Sequence, residues 1–558
     1  MASYYRNDLW TLNDEFGLGR VGDQVARMAL EVEPPFITGI TGKWGAGKTN
    51  VMRRAFVTLG GRPIRQVRVL AEAGEEGNSE QWQHWAWSPD DEKIRKERRQ
   101  ELDWPQEYFR CPEGVFCVWF SPWQHQREEN PLIPLVWEIQ AQFQAQLENR
   151  LDWWRRLPGK TKKTREKLRE QCRSNGLAAI KLLEQVGSAV LSLHHGRLHA
   201  AFHEAGDAAR QDEREEEHKG ANPTTPSDGQ RFYLLFEDAV DRILTTLFEF
   251  PGQGEKRGGS KTAPPPSEGP SPASARLILF IDDLDRCEEA VIVRLLESIK
   301  LYLASHRCVF ILGLDDEAVL DALARHWPGR SQDSNREYLE KLFQAIVSVP
   351  LPAPARVRET ITGQLALHKI PHEAALVGDM EQLLEPNPRK IKNFINSFCA
   401  TWNLHVRDPE FWAGDETETR RFLLFHYLRR YHRPVWRLLE RQPWSLAILA
   451  AAIRGADLTE PLPLPEKIHI EQQRLLWEFY SRAFSHVLVH AGGEEGKDDG
   501  IAYGNKSLGH ESLDDAVRHF QERQDQKRSD EYLCELFRAL IPVDYTLDAR
   551  HLYLEPSP

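Results

Sequence analysis

Apolar residues follow two rhythms along the chain. Short, mostly apolar runs recur at 36–40, 114–120, 277–281 and 308–314. Runs of this length, rich in β-branched and aromatic residues, predict strands. The run at 277–281 has the near-continuous apolar character of a parallel strand buried on both faces. An edge strand is predicted at 345–349. Between these runs apolar residues fall at helical spacing, over 21–30, 50–59 (Val51, Met52, Ala55, Phe56, Leu59), 132–147, 177–193, 232–250 and 291–303. From 354 onward the pattern is helical. Strands alternating with helices predict an α/β fold with a mostly parallel sheet flanked by helices, followed by a helical C-terminal region.

Polar and low-complexity stretches divide this pattern. Insertions are read at 60–113 and 150–230, and a Pro/Gly/Ser-rich linker at 251–274. The domains expected are a core over 1–350, a helical lid or sensor subdomain over 351–420, and a helical domain over 421–558. The first insertion carries Trp82, Trp85, Trp87 and Trp104, which either anchor it to its own domain or stack on a partner. Arg155 to Arg169 holds eight Lys/Arg and one acid, just after Trp153-Trp154. Two readings stay open for it: a solvated helix face, or contact with an anionic membrane surface or nucleic-acid backbone, with peripheral membrane contact through 153–193. His195, His199 and His203 share one helical face and could hold a metal, but the one nearby carboxylate, Glu204, points elsewhere and no Cys partner is evident.

Composition narrows the classes. The 558 residues allow two to four domains, and the net charge of −12 gives no support to general, charge-driven nucleic-acid binding. Seven scattered cysteines form no C-x-x-C pair, which argues for reduced thiols rather than a disulfide framework or a zinc site. Met1 to Trp10 has no apolar signal-peptide core, and no stretch of about 20 residues is apolar enough to span a membrane, so a cytoplasmic protein is expected.

Chemistry concentrates at the ends of the predicted strands. Gly42 to Thr49 fits G-x-x-x-x-G-K-[ST] between a strand and a helix, the context of a phosphate-binding loop. Glycines at 42, 45 and 47 let the backbone take positive φ and approach an anion. The successive N–H groups form a nest at a helix N-terminus. Gly42, Trp44, Gly45, Ala46, Gly47, Lys48, Thr49 and Asn50 are the candidate nucleotide-binding positions. Lys48 would reach the β/γ-phosphates, and Thr49 would offer its hydroxyl to Mg²⁺. The strand at 277–281 runs into Asp282-Asp283-Leu284-Asp285-Arg286, acids at the end where open α/β sheets bind ligands. Asp282 is the second candidate for Mg²⁺, and Asp283 the residue that orients the attacking water. Asp315, after the strand at 308–314, is either a γ-phosphate sensor or a solvated strand end. Pro388 opens a helix whose Arg389 and Lys392 either reach back to the γ-phosphate or form an exposed basic first turn. ATP is favoured over GTP because no guanine-specific Asn-Lys-x-Asp string is present.

These stretches, with Val118-Trp119-Phe120-Ser121-Pro122-Trp123-Gln124-His125, Tyr338 to Gln344 and Asn387 to Lys392, resemble the KAP family of P-loop NTPases. That family is a branch of the additional-strand class near the STAND signalling ATPases. The resemblance covers roughly residues 8 to 400. It implies ATP binding and hydrolysis with conformational or oligomeric switching as output, a protein partner or second copy, and, by analogy, bacterial signalling or antiviral defence. Many members carry transmembrane helices between the two nucleotide motifs; here that slot holds only the basic run and an amphipathic helix. Alternatives are a nucleotide-stabilised interaction scaffold and a nucleic-acid-stimulated ATPase.

Overall fold

A computed structural model describes residues 14–61, 64–69, 81–86, 114–128, 130–156, 161–192, 228–249, 275–303, 305–405, 416–456, 461–462, 464, 468–484 and 528–542. Two compact units emerge, one from Leu18 to Pro350 and the other containing 14–17 and the chain from Leu351 onward.

The first unit is built on a sheet. In chain order its elements are α1 (Gly19–Glu31), β1 (Phe36–Thr41), α2 (Lys48–Thr58), β2 (Ile64–Val69), β3 (Gln81–Ala86), β4 (Val115–Phe120), α3 (Leu132–Arg156), α4 (Lys162–Ser192), α5 (Asp228–Leu244), β5 (Arg276–Ile281), α6 (Glu289–Ser298), β6 (Cys308–Leu314), α7 (Asp316–His326), α8 (Gln332–Leu342) and β7 (Ala345–Ser348). β4, β5, β6, β1 and β7 form one five-stranded sheet in that order, and every pairing is parallel. One strand, β6, therefore stands between the loop-bearing β1 and the acid-bearing β5. β2 and β3 form a separate antiparallel pair inside the first insertion. Trp82 and Trp85 fall on β3, while Trp87 and Trp104 lie outside the described residues.

The period of two along β5 sorts its side chains between two layers. Leu277, Leu279 and Ile281 join the apolar cluster made with α3, α4, α5 and α6. Phe280 points the other way, its ring 5.3 Å from that of Phe56 on α2. The same alternation on β4 sends Phe116, Val118 and Phe120 into the cluster and stacks Trp119 on Phe280. Asp282 follows Ile281, so the alternation turns it toward the α2 face. That register is what delivers a carboxylate to the loop.

The edge strand β4 is closed by a side chain. The Trp119 N–H donates to Gln142 Oε1 at 3.1 Å, and Gln142 Nε2 donates back to Trp119 O at 2.9 Å. Gln344 plays a similar part on β1 beside the end of β7. Its N–H donates to Ile37 O, and its Oε1 accepts from the Ile37 N–H at 2.7 Å.

Several predicted helices run further than their apolar pattern. α4 begins at Lys162 rather than 177, because Lys, Arg and Glu are good helix formers even where nothing is buried. Its first residues, which contain part of the basic run, are mostly exposed. α5 and α6 each end in a π-helical turn, Thr245–Glu249 and Ile299–Leu303. His195, His199, His203 and the linker at 251–274 lie outside the described residues. Among the described residues no helix is long and apolar enough to cross a membrane.

The second unit is helical: α9 (Pro354–Leu367), α10 (Ala374–Leu383), α11 (Pro388–His405), α12 (Glu416–Tyr431), α13 (Arg433–Arg441), α14 (Leu446–Ile453), α15 (Ile470–Ala483) and a helix over 528–540. An aromatic group from α11 and α12, containing Phe394, Phe398, Trp402, Phe422 and His426, forms part of its core. Buried Asp379 on α10 takes a bidentate pair from Arg420 at 2.6 and 3.1 Å and a hydrogen bond from the Tyr532 hydroxyl at 2.6 Å. This clasp ties the 528–540 helix to α10 and α12. The carbonyls at the end of that helix are taken by arginines, Leu540 O by Arg421 and Ile541 O by Arg454.

Candidate nucleotide site

The loop after β1 is shaped as its glycines predict. Gly45 and Gly47 have φ of 84° and 104°. At Gly47, which caps α2 in a left-handed conformation, a Cβ would also sit 2.5 Å from Leu18 Cδ1. Lys48 is the first residue of α2, and its ammonium folds back to donate to Gly42 O at 2.8 Å. The same Nζ lies 3.0 Å from Asp285 Oδ2, and both side chains are only 8% exposed. Trp44, by contrast, is 62% exposed on the loop.

Residues separated by more than two hundred positions meet here because β1 and β5 both pair with β6. Asp282 is buried and hydrogen-bonded to the Thr49 side chain. Burial pushes its carboxyl up to about 6, with the neighbouring Asp283 charge adding to the rise; the Thr49 hydrogen bond and the Arg53 cation oppose it. Asp283 adopts a left-handed backbone at φ 58°, the turn from β5 into the 3₁₀ segment Leu284–Arg286. Its carboxylate takes Arg286 Nε at 2.9 Å and accepts from Ser121 Oγ at 3.4 Å. Asp315 stands at the start of α7. Burial raises its carboxyl, and the Lys48 ammonium opposes that rise.

Sequence reasoning passed over Arg53. Its guanidinium lies 3.4 Å from the centre of the Trp119 ring and feels the charges of Asp282 and Asp283. Burial lowers it to about 10, so it stays cationic. The signal was present, since residues i and i+4 share a helix face and Arg53 stands four after Thr49. Ser121 and Asp285 also carry more of the site than their spacing suggested.

Lys48, Thr49, Asp282, Asp283, Asp285 and Asp315 thus gather at the C-terminal end of one sheet, with Arg53 beneath them. Asn50 lies in the first turn of α2. Arg389 belongs to the helical unit, where its N–H donates to the Asn387 side chain in the cap of α11. Lys392 on the same helix lies 3.5 Å from Glu15, within that unit.

A parallel sheet with a glycine loop running into a helix, and acids at the end of the next strand but one, defines the fold of a P-loop NTPase. Residues 271–404 match the model of the KAP family P-loop domain. The matched segment begins just before β5; the loop at Gly42 lies outside it and joins it in space through β6. No curated protein matches the sequence. A solved structure of the Aeropyrum pernix ORC2 protein, in ADPNP and ADP complexes, aligns over 97% of both chains at 9% identity, with a TM-score of 0.28. That likeness is too distant to carry structure or function across. The chain is a nucleotide-binding NTPase by class.

Proposed function

We propose that the sheet unit binds ATP with Mg²⁺ and hydrolyses it, and that the nucleotide state acts as a molecular switch. The observation that carries this reading is the meeting of Lys48 and Thr49 with the acids after β5.

The residues present fit the metal. A hydroxyl and a carboxylate are the hard oxygen donors Mg²⁺ takes. Space for the carboxylate depends on Gly313, where a Cβ would lie 2.9 Å from Asp282 Oδ1 and 2.6 Å from Met52 Sδ. Thr49 and Asp282 would hold the ion, which when bound supplies positive charge against the phosphate oxygens. The loop N–H groups bind and orient the phosphates. Lys48 offers its ammonium to the β/γ-phosphates. Asp283 accepts the proton of the attacking water, and Ser121 and Arg286 fix the direction of its carboxylate. Arg53, resting on Trp119, offsets the clustered acids. Asp315 is the candidate sensor, and Arg389 the candidate cation through which residues 351–420 respond to the γ-phosphate. A protein partner or a second copy would receive the output. A place in bacterial signalling or antiviral defence rests on the family resemblance alone.

Lys48→Ala is expected to abolish ATP turnover by the full chain in a phosphate-release assay; retained turnover would discard the proposal. Asp283→Asn is expected to keep nucleotide binding and lose turnover by about 10²-fold or more. It should also trap the switch and change partner binding, whereas an interaction scaffold would bind its partner unchanged. Stimulation of turnover by DNA or RNA, lost on neutralising the exposed basic start of α4, would instead favour a nucleic-acid-dependent enzyme.

A further inference from the structure

The Lys48 ammonium has three donors, and two are engaged by the protein itself, by Gly42 O and by Asp285. Asp285 reaches it because of the local backbone. The left-handed turn at Asp283 sends the chain into the 3₁₀ segment Leu284–Arg286, and Ser121 and Arg286 hold the Asp283 carboxylate to themselves. That leaves Asp285, two residues on, facing the lysine. Both partners are buried, so their attraction is little screened by solvent. A polyphosphate that uses Lys48 must take the ammonium Asp285 holds, and it brings further negative charge against that carboxylate.

Asp285 has a second neighbourhood. It lines a cavity of about 570 Å³ whose other walls come from the start of α6 and from α7, including Glu288, Asp321 and Arg325. Asp285 therefore borders that cavity as well as the lysine. Arg325, on that cavity wall, is an exposed cation paired with Glu289 at 2.7 Å.

We infer that Asp285 is a gate on the nucleotide site: it competes with the β- and γ-phosphates for Lys48 and gives way into the adjoining cavity when they bind. The inference rests on the proposed polyphosphate reading of the site and adds its regulation. Asp285 then opposes binding, unlike its neighbours Asp282 and Asp283. Removing it leaves the buried ammonium on Gly42 O without its ion pair, with the charge of Asp315 still acting on it, so affinity for the phosphates should rise. The gain should be confined to ligands with a β-phosphate and should require Lys48.

The test is calorimetric titration of the full chain with MgATP, MgADP and AMP, for the wild type, Asp285→Ala, Asp285→Asn, Lys48→Ala and the Lys48→Ala/Asp285→Ala double variant. Asp285→Ala is expected to bind MgATP and MgADP about tenfold tighter or more, which corresponds to 1.4 kcal/mol per factor of ten. Asp285→Asn, nearly isosteric, should fall between it and the wild type, and it carries the test should the alanine variant fail to fold. AMP binding should not change, and the double variant should bind no tighter than Lys48→Ala. Unchanged or weaker binding by both Asp285 variants, with wild-type binding that depends on Lys48, would overturn the gate and leave the site reading standing. A gain that extends to AMP or survives loss of Lys48 would also overturn it. Absence of binding by the wild type and both Asp285 variants would sink the polyphosphate reading itself, and the gate with it.

Discussion

His426 offers a quantitative test of the helical unit. It is 4% exposed on α12, and among the described residues neither ring nitrogen has a hydrogen-bond partner. Phe394 and Phe398 meet it edge-on at 5.3 and 5.7 Å, and Phe422 stacks on it at 6.3 Å. Burial, reinforced by the cations of Arg430 and Arg429, holds the imidazole down to about 3. In the unfolded chain the same group takes up its proton near 6.5. Below that pH the unfolded state binds more protons, so stability falls with pH and goes on falling until the folded imidazole itself titrates near 3. At pH 5 the loss from this one ring is ~2 kcal/mol, one and a half pH units at 1.36 kcal/mol each. His426→Phe removes it, and at pH 8 the change should be near neutral because an aromatic ring replaces an aromatic ring. Hydrogen exchange of α11 and α12 peptides, corrected for intrinsic rates, reads the local stability at pH 8 and pH 5. The variant should gain about 2 kcal/mol on the wild type between the two. A difference independent of pH would mean that the ring is hydrated or paired in solution, and the reasoning would be refuted.

Glu297 runs the opposite way. Burial pushes its carboxyl up to about 7 against the pull of Arg330 and Arg294. The folded state then binds more protons than the unfolded one between the ordinary value of 4.5 and 7, and stability is lost as pH rises through that window. Glu297→Gln should be more stable than the wild type at pH 8 by ~2–3 kcal/mol and nearly equal to it at pH 4, measured by urea denaturation. Gln142→Leu strips the Trp119 N–H and C=O of their partners and should cost ~1–3 kcal/mol in the same assay, whereas Leu at exposed Gln124 should cost under about 0.5.

Much of the sheet was legible because buried parallel strands announce themselves as short apolar runs; those ending at Thr41, Phe120, Ile281 and Leu314 all form. The loop was legible for a related reason, since its chemistry needs glycine, lysine and threonine at fixed offsets. The acids after β5 could be named from sequence, but not their division of labour. Whether Asp283 or Asp285 faces Lys48 depends on one left-handed φ, which a carboxylate-bearing residue tolerates without advertising it. Gln142 could not have been found, because an amide that stands in for a strand looks like any polar residue on a helix. The start of α4 was missed because helix extension there rests on propensity alone, with no apolar stripe to mark it.

The glutamine that closes β4 has an effect beyond its two hydrogen bonds to Trp119. Exposed strand margins recruit other chains, and proteins commonly deter this with charge, proline or a covering element. Here, at Trp119, the deterrent is a single primary amide, which satisfies the margin yet offers nothing for a further strand to copy. Losing it would orphan both groups beneath α3, where Gln142 is itself buried, so a loosened seam between helix and sheet is the failure to expect first from changes at that position.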